Sequence, residues 1–168
     1  MLSNSPEYWM QQALELARFA ASKNEVPVGA VVVLDGEIIG RGSNGPIGRC
    51  DPTAHAEIQA LQQAAKAIGN YRLINADLYV TLEPCAMCAG AVVHSRVRSL
   101  YFGALEPKSG AVLSNLQLLE QECMNHKVSV HSQVCDSDCS QVISAFFARR
   151  RAEKKQLKKK QQESASSS

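Results

Sequence analysis

Residues 28 to 44, "VGAVVVLDGEIIGRGSN", constrain the fold more than any other stretch, because two runs of strand-forming residues flank the dipeptide Asp35-Gly36. A two-residue Asp-Gly link between such runs favours a type I′ turn, whose twist matches that of paired strands, so a β-hairpin is expected. Ahead of it, "PEYWMQQALELARFAAS" (6 to 22) places Trp9, Ala13, Leu14, Leu16, Ala17 and Ala20 at roughly helical spacing, an amphipathic helix suited to cover one sheet face. Behind it lie a Gly- and Pro-containing loop, "NGPIGRCDPT", and an Ala-, Leu-, Gln- and Glu-rich helix over about 54 to 67, with Asp51 or Thr53 as its cap and Pro52 in its first turn. "DLYVTL" (77 to 82) then reads as a strand, "EPCAMCAGAVVHS" as a helix with Pro84 at its start, and "VRSLYFGA" as another strand.

The alternation of strand and helix favours an α/β sandwich with some parallel pairing and right-handed crossovers. In the final third, "SNLQLLEQ" is expected to be helical and "KVSVH" a short strand. A long C-terminal helix begins at "DSDCSQ", with its core face at Val142, Ile143, Phe146 and Phe147. At 168 residues there is enough chain for a single well-buried domain.

Composition narrows the setting. No run of 18 apolar residues occurs, and "MLSNSPEYWM" has neither the basic start nor the apolar middle of a signal peptide, so the expectation is a soluble cytoplasmic protein with no membrane partner. Six cysteines in a reducing compartment point to thiols or metal ligands before disulfides. Charge is unevenly spread: residues 149 to 160 hold eight basic residues and one acid, leaving 10 basic against 15 acidic residues elsewhere, a balance of −5. Residues 152–168 therefore read as a basic, Ser-ending tail on a domain of residues 1–151. The tail is either a solvated helix end fading into a disordered "QQESASSS" or a phosphate-attracting appendage.

Two short stretches can carry chemistry. In "EPCAMC", Cys85 and Cys88 are three apart at a helix start, where that spacing aims both sulfurs at one point and the helix dipole favours thiolates. Alone, such a pair is equally a redox couple, half of a structural zinc site or chance. In "DPTAHAEI", His55 also opens a helix, and helix starts at the same end of a parallel sheet face one crevice. One His and two Cys leave a fourth position for water, the open coordination of a catalytic zinc. Glu57 lies about 200° around an ideal helix from His55, but an irregular first turn lets both border the crevice. There a carboxylate beside activated water does general acid/base work.

H-A-E followed by P-C-A-M-C resembles the signature of zinc-dependent nucleoside and nucleobase deaminases. "EVPVGAVVV", "NGPIGRCDPTAHAEI", "NYRLINADLYVTLEPCAMCAGAVVHSR" and "FGA" followed by "KSG" resemble the bacterial tRNA-specific adenosine deaminase family along roughly residues 7 to 151, with further similarity at "MNH" and "FFARRR". The resemblance implies a cytidine-deaminase-like, three-layer αβα sandwich with a mixed central sheet. It implies hydrolytic deamination of adenosine to inosine at the wobble position of a tRNA anticodon, with tRNA-Arg expected, by a homodimer carrying one Zn2+ per subunit.

Carried over residue by residue, His55, Cys85 and Cys88 are the zinc ligands and Glu57 is the proton shuttle. Asn44 matches the family's base-contacting asparagine, and Ala56 is small enough for backbone groups to approach the substrate. Phe146, Phe147 and Arg150 belong to the helix that holds the anticodon loop, where rings and guanidinium groups stack on unstacked bases. The family usually has an aspartate at the position of Glu106, so the contact expected there lies about one methylene further out; "AVLSNL" likewise departs from the usual small-residue run.

Guanine deaminases share D-P-T-A-H-A-E and P-C-x-M-C. Asn44 with Pro46-Ile47-Gly48-Arg49, His94-Ser95-Arg96 and the Phe-Phe-Ala-Arg-Arg-Arg end favour tRNA over the free base. A zinc-stabilised, non-catalytic nucleic-acid module would require a fourth protein ligand. His94, His126, His131, Cys135 and Cys139 read as structural or surface residues.

Overall fold

The computed structural model describes residues 4–167; Met1, Leu2 and Ser3, at the start of the segment read for a leader, and Ser168, at the end of the tail, lie outside the described residues. The hairpin forms as expected from β1 (Gly29–Leu34) and β2 (Glu37–Ser43), with Asp35 and Gly36 both at positive φ, 52° and 77°. β3 (Asp77–Leu82), β4 (Ser99–Ala104) and β5 (Ser129–His131) complete one sheet in the order β2-β1-β3-β4-β5. β1 runs antiparallel to both β2 and β3, whereas β3, β4 and β5 are mutually parallel. The sheet is therefore mixed.

Alternate residues of β1 explain the third layer. Ala30 and Val32 enter one core with Leu78, Val80, Leu100 and Phe102, while Val31 and Val33 enter a second core with Trp9, Met10, Leu14 and Tyr79. A strand apolar on both faces must be covered on both. On the second core lie α1 (Pro6–Ser22), capped by Ser5 Oγ accepting from Tyr8 N–H, and the long C-terminal helix α5 (Asp136–Ser166). α3 (Ala56–Ile68) and α4 (Ala86–Ser95) cover the first core. This is an open αβα sandwich, as the alternation of elements indicated.

Glycines set how closely helices approach. On edge strand β2, a Cβ at Gly42 would collide with the Ala56 carbonyl oxygen, and one at Gly40 with that of Ala60. The Ala56, Ala60 and Ala64 stripe of α3 thus lies almost on the β2 backbone.

Several local expectations are corrected. The loop after β2 contains a one-turn helix, α2 (Pro46–Arg49). Neither Asp51 nor Thr53 caps α3: Asp51 Oδ1 accepts from the backbone N–H and hydroxyl of Thr53, closing its own turn, and His55 takes the cap position. Of "SNLQLLEQ" only Leu118–Glu120 is helical, as a 3-10 turn, because the N–H of Ser114 bonds to the Glu83 side chain and those of Asn115 and Leu118 to the Gly110 and Ala111 carbonyls. On α5 the buried residues are Cys139 and Phe146; Val142 and Ile143 are half-buried, and Phe147 is 42% exposed rather than core, since it lies off the side on which Phe146 is buried and Arg149 donates to the Ala21 carbonyl. "QQESASS" continues α5 to Ser166 instead of fading into disorder. Among the described residues no helix is long and apolar enough to cross a membrane, and all six cysteines are free.

Candidate active site

The sheet order brings the two chemical motifs together. β2 and β3 are both antiparallel to β1 and hence parallel to each other, so α3, which follows β2, and α4, which follows β3, start at the same end of the sheet. His55 caps α3 with φ −79° and ψ 153°, and Cys85 caps α4 with φ −74° and ψ 176°. Neither side chain makes a capping hydrogen bond, which leaves the imidazole and thiol available at two positive helix ends. Because His55 has extended backbone, the 200° separation of an ideal helix does not apply to the His55–Glu57 pair, and both line one cavity.

That cavity has a volume of about 310 Å³ and is lined by Asn44, Pro46, His55, Glu57, Glu83, Cys85, Glu106 and Ser109, with Val26, Val28 and Leu82 as apolar walls. His55 Nδ1 is 3.6 Å from both Cys85 Sγ and Cys88 Sγ, and the three donor atoms lie within 4.8 Å of one another. Tetrahedral zinc with Zn–S near 2.3 Å and Zn–N near 2.05 Å requires an N···S separation of about 3.6 Å. The donor set fits that ion in type and spacing, and it is the one such group among the described residues.

The electrostatics suit a cation. The hydrogen bond from Cys88 and that with His55 bring Cys85 down to about 4 against the opposing effect of burial. Cys88 moves up, because it donates to Cys85, is buried and faces the charge of Glu57. The hydrogen bond to Cys85 raises His55, with burial opposing. Glu57, 4% exposed in the first turn of α3, is pushed up to about 7 chiefly by burial. A carboxyl near neutrality both accepts and returns protons at physiological pH.

Of the other residues singled out, Asn44 and Glu106 line the cavity. Ala56 is fully buried, its backbone against Gly42. Phe146, Phe147 and Arg150 do not line it: Phe146 is buried under the Arg149 guanidinium, 5.4 Å from its ring centroid, while Phe147 and Arg150 share an exposed groove on α5. His126 contacts the Val97 carbonyl at 2.7 Å and His131 stacks on Tyr101, in keeping with structural roles. Glu25 and Glu83, buried near the cavity, had no sequence signal beyond their charge beside apolar runs.

A mixed sheet sandwiched by helices, with one His and two Cys at paired helix starts beside a buried Glu, defines a cytidine-deaminase-like protein. The MafB19-like deaminase family matches residues 4–151. A tRNA-specific adenosine deaminase of Haemophilus influenzae is 53% identical over 148 residues, covering 88% of this chain and 86% of that protein. A structure solved in a study of A-to-I editing by tRNA deaminases at the wobble position of transfer RNA aligns with a TM-score of 0.79 at 46% identity, over 80% of this chain and 98% of that one. The guanine deaminase of Nitrosomonas europaea, with a TM-score of 0.72, 23% identity and 88% and 87% coverage, is a likeness of fold alone. The chain belongs to the tRNA-specific adenosine deaminase family.

Proposed function

We propose that the protein hydrolyses adenosine to inosine at the wobble position of a tRNA anticodon, with tRNA-Arg as the expected substrate. The observation that carries this reading is the convergence of His55, Cys85, Cys88 and Glu57 at one cavity in a chain 53% identical to a tRNA-specific adenosine deaminase. His55, Cys85 and Cys88 hold one zinc ion per subunit. When bound, zinc supplies the Lewis acidity that activates water near neutral pH.

Glu57 takes a proton from the attacking water and delivers protons to the adenine ring nitrogen and to the departing ammonia, so adenosine and water become inosine and ammonia. Asn44 presents an amide that both donates to and accepts from a base edge. Glu106 lines the cavity, placed for a contact with the nucleic acid, while Ala56, buried against Gly42 outside the cavity lining, lets α3 pack close beneath the site. Phe147 and Arg150 offer an exposed ring and guanidinium to unstacked bases, and Phe146 seats the helix that presents them. Beyond them, Arg151, Lys154, Lys155 and Lys158 continue the exposed basic surface of α5, where the 152–168 tail attracts phosphate.

A homodimer acting in the cytoplasm completes the reading. The support for self-association is an open apolar groove lined by Ile58, Leu61, Ala65 and Ala91, with exposed Tyr71 beside it. Equilibrium sedimentation giving only monomer at micromolar concentration would remove that element.

The primary test incubates zinc-loaded protein with an arginine-tRNA anticodon stem-loop bearing a wobble adenosine, reads inosine by sequencing and assays free guanine in parallel. Inosine at the wobble position alone is expected. Guanine turnover without inosine would move the protein to the free-base branch.

A further inference from the structure

Two buried carboxylates beside the cavity take no part in the chemistry above. Glu25 is 4% exposed and Glu83 2%, and neither pairs with a Lys or Arg; the ion pairs among the described residues are made by Asp77 and Glu153. Their charge is met instead by loop hydrogen-bond donors. Glu83 Oε1 accepts from the Glu106 N–H at 3.2 Å and the Ser114 hydroxyl at 2.5 Å. Its Oε2 accepts from the N–H groups of Val112, Leu113 and Ser114 at 3.3, 3.1 and 3.0 Å. Glu25 does the same on a smaller scale, Oε1 accepting from Gly48 N–H at 2.7 Å and Oε2 from Ile47 N–H at 3.3 Å.

The donors belong to the two segments that supply polar walls of the cavity: the turn that follows Asn44 and Pro46, and the loop that carries Glu106 and Ser109. The chain passes very near both acids. A Cβ at Gly110 would strike the Glu83 carboxylate, and one at Gly48 would lie 3.5 Å from Glu25 Oε1. Loops whose backbone bonds go to water open easily, whereas charge-assisted bonds to a buried carboxylate are shorter and stronger than neutral ones. A glutamine keeps the shape but presents an NH2 group to inward-pointing N–H donors, so the loop has to move away from it.

We propose that Glu25 and Glu83 are paired positioning residues that clamp the Asn44–Pro46 and Glu106–Ser109 walls at the separation a substrate base requires. This rests on the functional reading above for its substrate, but not for its structural signature. Each clamp acts on its own loop, and the metal ligands stand at the starts of α3 and α4, each loop touching the residue before one of them through Gly45 N–H to the Ala54 carbonyl and Ala111 N–H to the Pro84 carbonyl.

The test compares zinc-loaded wild type, Glu25→Gln, Glu83→Gln and Ser114→Ala, the last being a milder cut should Glu83→Gln fail to fold. Amide hydrogen exchange is read without substrate. Glu83→Gln is expected to speed exchange at 106 and 112 to 114 but not at 47 and 48, Glu25→Gln the reverse, and Ser114→Ala to act like Glu83→Gln to a smaller degree. With the stem-loop, misplacing a wall by about 1 Å should raise KM by roughly ten- to a hundred-fold, with kcat less affected and zinc content unchanged. Unchanged exchange, or local loosening with an unchanged KM, would overturn the clamp. A loss confined to kcat and zinc content would make both acids merely structural. If wild type makes no inosine the functional reading fails, while the exchange pattern still decides whether the carboxylates hold the loops.

Discussion

Gly42 offers a direct test of how the sheet sets the active-site geometry. A methyl at this position would run into the Ala56 carbonyl oxygen and lie 2.8 Å from Ala60 N. Ordinary contacts of this kind need about 3.5 Å, so the start of α3 has to retreat from β2 by about 0.7 Å at Ala60 and further at Ala56. His55 and Glu57 flank Ala56, and the displacement reaches both with no flexible link between. Metal–ligand distances tolerate only about 0.2 Å. Gly42→Ala is therefore expected to weaken zinc binding and to lower deamination by roughly a hundred-fold, beyond an overpacking cost of about 1–3 kcal/mol in stability.

Gly40→Ala is the control, because its methyl would meet Ala60 and Ala64, at least one turn further from His55. Denaturant unfolding of the metal-free proteins, competitive zinc titration and the stem-loop assay separate the two effects. Similar stability losses with a zinc defect concentrated in Gly42→Ala are expected. Wild-type zinc affinity and turnover in Gly42→Ala, or an equal zinc defect in Gly40→Ala, would refute the reasoning.

Glu57→Gln should retain zinc and fold but lose about 10²- to 10⁴-fold in kcat; near-normal turnover would remove Glu57 from proton transfer. Chelation should abolish activity, zinc should restore it, and the Cys85 and Cys88 thiols should react faster with a thiol reagent in the metal-free protein, so equal reactivity with and without zinc would exclude them as ligands. Removing residues 152–168 should flatten the dependence of RNA affinity on salt, by about 0.7 to 0.9 in the log–log slope for each phosphate that the tail neutralises. An unchanged slope would leave the tail as solvated surface.

The hairpin and α1 were legible because Asp35-Gly36 reports the turn and a period-3.6 pattern reports the buried side of a helix; the strand–helix alternation gave an α/β sandwich, and its three αβα layers followed from the family resemblance. The motif positions His55, Cys85 and Cys88 were equally legible, since their residue types are uncommon in such spacing and the structure brings them within metal-binding reach. The stretch 114 to 121 misled because its apolar spacing serves the packing of Leu119 in a loop whose N–H groups go to the Glu83 carboxylate at Ser114 and to the Gly110 and Ala111 carbonyls at Asn115 and Leu118. Phe147 misled because two adjacent rings on a helix point about 100° apart, so the side that buries Phe146 leaves Phe147 exposed.

The sequence by itself determined most of the elements and, through the family signature, which side chains are the candidate metal donors and the candidate acid, since these are recognised by residue type and motif. Only the tertiary structure decided that α3 and α4 start at one sheet end, that β2 glycines hold α3 close, and that Glu25 and Glu83 bind the cavity loops. Those features join residues 14 or more positions apart, largely through backbone groups. Such pairings leave no spacing for a sequence to display, because they exist only once burial has made a carboxylate and an N–H each other's best available partner.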